Sequence, residues 1–156
     1  MSKLWFKTNR VVVRDFDREL IKDIILYRND LEWMKYQGFK GFTYGEYCTA
    51  ILALSDITDG LQLAMVNDEN QLIGDLYLKA DGTTLRFGYT INKSFSRQGI
   101  TYEVCSKLFE WAKENGYQKM VAGVDPANIP SINLLKKLKM TEVNNSVEEI
   151  IYEVSL

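Results

Sequence analysis

A chain of 156 residues suits one ordinary domain. Its hydrophobic content of 46% and charged content of 26% match globular proteins and exclude disordered, collagenous and low-complexity classes. Nineteen basic against twenty-one acidic residues, net −2, argue against a nucleic-acid partner, and with no histidine present the Ser-His-Asp and Cys-His machines and most zinc sites are excluded.

The β-branched run Val11–Val13 predicts a first strand. Asp15 or Asp17 caps the helix that follows, in which Leu20, Ile21, Ile24, Ile25 and Tyr27 recur at helical spacing as far as Arg28. The aromatic stretch from Trp33 to Phe42 has two glycines and no clean period, so it reads as a loop or broken helix. Thr43 with Glu46 has capping-box spacing and starts a second helix, with Tyr47, Ile51, Leu52 and Leu54 as its apolar positions. Leu61–Val66, Leu72–Leu78 and Thr84–Ile91 are three strands, separated by turns at Asn67–Asn70 and Asp81-Gly82, and read as an antiparallel meander. A long helix runs from about Gln98 to Asn115, with Gly116 closing it. Met120–Val124 is a short buried strand and Ser131–Leu138 a helix. Thr141–Val143 and Glu149–Val154 are two strands around Asn144-Asn145.

The expected order is β-α-α-β-β-β-α-β-α-β-β. It describes a single α+β domain spanning residues 1–156, with a central mixed, mostly antiparallel sheet flanked by helices. Its one parallel pair lies in the strand–helix–strand unit from Thr84 to Val124. Cys48 and Cys105 sit inside helices and read as core residues of a reducing compartment. No apolar run approaches the ~18–20 residues of a membrane span, and Met1–Arg10 lacks a signal-peptide core. The expectation is a cytoplasmic protein without a membrane partner, with a homodimer left open.

Charge is unevenly placed. From Ile91 to Met140 eight basic residues face four acidic ones, so this segment is +4 and the remainder −6. An anionic ligand there is one reading and solvated helix faces are the other. Within the segment, Gly99 stands where a strand passes into a long helix, with Lys93 and Arg97 nearby. Unpaired N–H groups and the helix dipole favour an anion at such a point, and glycine lets a phosphate approach the backbone.

Three pieces in chain order now resemble the GNAT superfamily of acyl-CoA N-acyltransferases, most closely the branch of ribosomal-protein N-terminal acetyltransferases. Gly88-Tyr89-Thr90-Ile91 resembles the splayed central strand. Ser96-Arg97-Gln98-Gly99-Ile100-Thr101 resembles the pyrophosphate loop, and Glu103 falls where the branch often has a glutamate. The stretch from Val124 to Leu138, with Asn128 and Ser131, resembles the later strand–loop–helix. There are departures: Ser96 replaces Gln or Arg, Thr101 replaces a smaller residue, and Lys139-Met140 replaces Gly-Phe.

The resemblance implies acetyl-CoA as co-substrate and no metal, with a small-molecule or peptide amine attacking the thioester in a ternary complex. It implies that the backbone of Ile91 and Lys93 pairs with the pantetheine arm. The amides of Arg97, Gln98, Gly99, Ile100, Thr101 and Tyr102 would cradle the pyrophosphate, with side-chain contacts from Lys93 or Arg97. Asn128 would bond the cofactor near its pantetheine portion. The tyrosine that many members carry seven residues after the asparagine is Leu135 here, so Ser131 is the candidate near the thiolate. The branch's glutamate two residues before the central Gly-Tyr is Arg86 here. Asp75 and Tyr89, on neighbouring strands, are the candidates to touch the amine directly or through water. Aromatics of Tyr27–Tyr47 mixed with Asp30, Glu32 and Glu46 suit a cationic amine; packing of helices on the sheet explains them equally well. The competing reading is a catalytically weak or inactive CoA-binding sensor or interaction module.

Overall fold

Strands β1 (Leu4–Lys7) and β2 (Val12–Asp15) open the chain in the computed structural model, which describes residues 3–156. Of the N-terminal stretch read for a targeting segment, Met1 and Ser2 lie outside the described residues. The sequence pattern leads to a single first strand, so β1 is an addition to the expected order. It has four residues and buries only Phe6, too short an alternation to register as a period.

Helices α1 (Arg18–Arg28) and α2 (Tyr44–Leu52) follow. The Asp17 carboxylate accepts the Leu20 N–H at 2.9 Å and caps α1. Thr43 and Glu46 form the expected capping box, which satisfies two otherwise orphaned N–H groups. Leu52 and Leu54 do not turn inward as expected. The buried stripe of α2 is Tyr47, Cys48 and Ile51, and both leucines are exposed.

Strands β3 (Leu61–Val66), β4 (Leu72–Asp81) and β5 (Thr84–Ile91) form the antiparallel meander. A 3₁₀ turn at Lys93–Phe95 leads to α3 (Ile100–Glu114), β6 (Lys119–Val124), α4 (Ile129–Lys137), β7 (Thr141–Asn145) and β8 (Ile150–Ser155). Asn144 and Asn145, expected as a turn, belong to β7; the turn is closed by Ser146 and Glu149, whose backbones hydrogen-bond at 3.0 Å.

The sheet order is β1-β2-β3-β4-β5-β6-β8-β7, and among the described residues only β5–β6 is parallel. This is the α+β fold read from the sequence. Alternate residues of β3 feed two cores. Leu61, Leu63 and Met65 join the core of α3 and α4, and Ala64 and Val66 join that of α1 and α2. Each fully buried Leu, Ile or Phe side chain contributes about 1.5–3 kcal/mol, so β3, buried on both faces, is held from both sides of the sheet.

Candidate active site

Strands β5 and β6 pair only at Thr84–Lys119, Leu85–Met120 and Arg86–Val121. Beyond that they diverge, although β5 continues to Ile91 and β6 to Val124. The divergence leaves a gap of about 70 Å³ lined by Gly88, Tyr89, Gly123, Asn128 and Ser131. A cleft of about 540 Å³ opens on one side, between the starts of α3 and α4. A second cavity of about 490 Å³ lies under α2 and the loop around Phe39. Tyr89 lines all three spaces.

The first cleft fits a long cofactor arm. Ile91, Trp33, Pro130 and Leu134 give it apolar walls, and Lys93, Thr101, Asn128 and Ser131 give it polar points. Its volume is within the range of ordinary ligand pockets, ~300–1,000 Å³. Gly99 is the N-cap of α3 at φ +73°, with no side chain closing the helix end. The N–H groups of Ile100, Thr101 and Tyr102 therefore have no partner within the helix. Arg97 is also left-handed, at φ +61°. Arg97 and Lys93 are exposed beside this end. Arg10, from the β1–β2 connection, donates to the Gln98 carbonyl at 3.0 Å and pairs with Glu103 at 2.8 Å. Partial burial works to raise Glu103, but hydrogen bonds from Thr8 and Arg10 outweigh it and hold this carboxylate below its usual range. Glu103 thus ties the first hairpin to the loop.

Two backbone carbonyls on the expected pantetheine path have partners within the chain. The Ile91 carbonyl accepts the Trp33 indole N–H at 2.9 Å. Lys93 has left the strand for the 3₁₀ turn, and its carbonyl accepts from both the N–H and the hydroxyl of Ser96. Both residues still line the cleft.

Asn128 is the N-cap of α4, its side-chain oxygen accepting the Ser131 N–H at 3.4 Å. That cap leaves its amide nitrogen for a ligand. Ser131 Oγ lies 2.6 Å from the Tyr89 hydroxyl. Burial pushes the Tyr89 phenol well above its ordinary value, against the opposing effect of the Ser131 hydrogen bond, so it stays protonated at neutral pH. The two candidate hydroxyls therefore stand together in the gap between the diverging strands.

Asp75 differs from expectation. It is fully buried, and its oxygens accept from Tyr27 (2.5 Å), Arg28 Nε (2.9 Å), Arg28 Nη2 (2.6 Å) and Gln62 (2.5 Å). Those partners take up the acceptor positions of a carboxylate, so no lone pair is left to touch an amine. Asp75 instead fixes Arg28, which reaches on to Thr90 Oγ1 and the Phe39 carbonyl. Burial would lower Arg28, yet Asp75 beside it holds the guanidinium above its ordinary value.

The second cavity is apolar at Phe39, Ala50, Ile51, Leu54 and Phe87, with Arg28, Gln62 and Arg86 as its polar wall. Asp30, Glu32 and Glu46 are absent from it. Asp30 accepts the Trp33 N–H, Glu32 pairs with Lys35, and Glu46 closes the capping box. The expectation that these carboxylates receive a cationic amine does not match this cavity; of the three, Glu32 lines the first cleft. Sequence reading missed Arg28 and Gln62, and it assigned Trp33 to the acceptor side, whereas Trp33 lines the first cleft. The period-2 alternation of β5, which aligns Arg86, Gly88 and Thr90 on one face, was the one available signal for the cavity.

Residues 10–141 match the family model of the acetyltransferase (GNAT) domain. The chain is 27% identical over 137 residues to an uncharacterized N-acetyltransferase, YnaD, of Bacillus subtilis (strain 168), covering 85% of this chain and 80% of that protein. An acetyltransferase (GNAT family) from Bacillus anthracis superposes with a TM-score of 0.82 at 21% identity, over 96% of both chains. RimL, a ribosomal L7/L12 alpha-N-protein acetyltransferase, superposes with a TM-score of 0.82 at 14% identity, over 100% of this chain and 96% of that one. With the diverging strands, the open helix end and a family match over most of its length, the chain belongs to the GNAT acetyltransferase family and is an acyltransferase.

Proposed function

We propose that the enzyme transfers the acetyl group of acetyl-CoA to a primary amine by direct attack in a ternary complex. The observation that carries this reading is the meeting of two cavities at Tyr89, beside the paired Tyr89 and Ser131 hydroxyls. The amides from Gly99 to Tyr102, with Arg97 and Lys93, hold the pyrophosphate. The amide nitrogen of Asn128 meets the pantetheine arm. The amine nitrogen enters from the Phe39 side and bonds to the thioester carbon, the C–S bond breaks, and the Tyr89–Ser131 pair returns a proton to the thiolate. Arg28 and Asp75 hold the cavity wall. The acceptor is a small molecule or a peptide terminus. Cys48 and Cys105, both free and buried, suit a reducing, cytoplasmic setting.

A thiol-release screen with acetyl-CoA against a panel of amines tests the reading. Release with at least one amine, abolished in Gly99→Glu, supports it. The engaged carbonyls of Ile91 and Lys93 favour a second reading, a domain that senses CoA without turnover. Tight CoA binding with no thiol release from any amine would select that one.

A further inference from the structure

Arg86, on the wall of the acceptor cavity, forms an ion pair with Glu149 over Gly123. Arg86 is the last β5 residue paired with β6, and Glu149 immediately precedes β8. Arg86 Nη2 lies 2.8 Å from Glu149 Oε1, and both side chains are 44% exposed. The pair rests directly on Gly123 of β6. A Cβ built there would lie 2.6 Å from Glu149 Cδ and 2.7 Å from Arg86 Nη2, closer than atoms pack. Gly123 is not among the positive-φ glycines, so backbone freedom does not account for it. Its missing side chain leaves room for the carboxylate and the guanidinium. Gly123 lines both the acceptor cavity and the gap that holds Tyr89 and Ser131.

The other carboxylates are engaged elsewhere or stand away from the acceptor cavity. Asp75 accepts four hydrogen bonds, Asp30 and Glu46 serve the loop and the helix cap, Asp125 in the gap accepts the Ala127 N–H at 2.9 Å, and Glu32 lines the cofactor cleft rather than the acceptor cavity and pairs with Lys35. The chain has no histidine. Glu149 is accessible from solvent and held by one partner.

Resting on the acetyltransferase reading, we propose that Glu149 receives the incoming ammonium group and takes its proton, with Arg86 as the positioning residue that holds the carboxylate over Gly123. An ammonium nitrogen has no lone pair for attack. Proton transfer to Glu149 leaves a neutral amine and a carboxylic acid, which returns the proton to water. The nitrogen then bonds to the thioester carbon and the C–S bond breaks. Of the two hydrogens left on nitrogen, one stays in the amide. The other replaces the proton that the Tyr89–Ser131 pair gives to sulfur. The products are amide, free thiol and one proton in water.

The test is Glu149→Gln in the full chain, which keeps shape and removes the base. Initial rates are measured with primary amines of graded basicity, alongside thermal unfolding and calorimetric CoA affinity. The expected result is unchanged melting and CoA affinity, with kcat/KM lowered about 100-fold for strongly basic amines. The loss shrinks towards none for amines already neutral at the assay pH. Arg86→Gln shows the same dependence on basicity with a smaller, about tenfold, loss. Wild-type rates for Glu149→Gln with every amine overturn the proposal alone. An equal loss across all amines also overturns it, since Glu149 would then only bind. A wild-type enzyme that releases thiol with no amine overturns the acetyltransferase reading, and this proposal with it.

Discussion

Tyr89→Phe removes one oxygen, with its 2.6 Å contact to Ser131 Oγ and a longer 3.5 Å one to the Ser131 carbonyl, while the ring keeps its place 6.2 Å from Phe87. A hydrogen bond of this kind is worth about 0.5–1.5 kcal/mol net. For a chain of this length each kcal/mol moves Tm by roughly 2–4 °C, so the variant folds. The catalytic effect is larger. A phenol is protonated at neutral pH and burial pushes this one further up, so wild type always carries the hydrogen. General acid catalysis supplies ~100–10,000-fold, and a thiolate leaves tolerably unprotonated, which places the loss near the low end, about 100-fold or ~2.7 kcal/mol. Ser131→Ala should fall by a similar factor, with little change in CoA affinity. The two hydroxyls share one bond and act as one relay, so the double variant should lose about as much as the worse single one. Initial rates at saturating acetyl-CoA, with affinity measured separately by calorimetry, give the cycle. Multiplying losses, near 10,000-fold in the double variant, would refute the relay, because independent groups add in free energy. Preserved kcat with weakened affinity would make both hydroxyls binding groups.

Gly99→Glu should abolish CoA binding by calorimetry, since it sets an anion at the open end of α3; Gly99→Ala, which strains only the left-handed backbone, should retain measurable binding. Asn128→Ala should lower stability by about 1 kcal/mol through loss of the α4 cap and weaken CoA affinity as well, whereas Asn128→Asp should keep the cap and lose only affinity. Asp75→Asn breaks the bidentate Arg28 contact in the interior and should cost about 3–5 kcal/mol in urea unfolding. Glu103 is held below its ordinary value in the fold, so its contribution is present above the unfolded carboxylate range near pH 4.3 and is lost as pH falls through the lower folded value. Thermal unfolding between pH 5 and pH 2 should show a shallower slope in Glu103→Gln than in wild type.

Local chemistry was the legible part of this sequence. Thr43 and Glu46 are three residues apart and bond to each other, and Asp17 bonds only three residues onward. Gly99 opens its helix in the left-handed conformation that glycine tolerates best. The β4–β5 hairpin follows from its own turn at Asp81-Gly82. The site chemistry that escaped reading depends on distant partners. Asp75 looks like a strand carboxylate until Arg28, 47 residues earlier, closes on it. Arg86 reads as a missing acid until Glu149, 63 residues later, folds onto it across Gly123. Trp33 reads as a wall of the acceptor site, yet its indole N–H reaches the Ile91 carbonyl across 58 residues. Periodicity reports which face a residue occupies and says nothing of which side chain from another strand will meet it there.

Transfer of an isotope-labelled acetyl group is the most direct test of the central claim. Wild-type protein is incubated with labelled acetyl-CoA and a panel of amines and peptides, and products are resolved by mass. The structure predicts label on an acceptor nitrogen with one free thiol per acetyl moved, and loss of both signals in Gly99→Glu. Label that stays on CoA with every acceptor, while the wild-type protein remains folded, would contradict the claim.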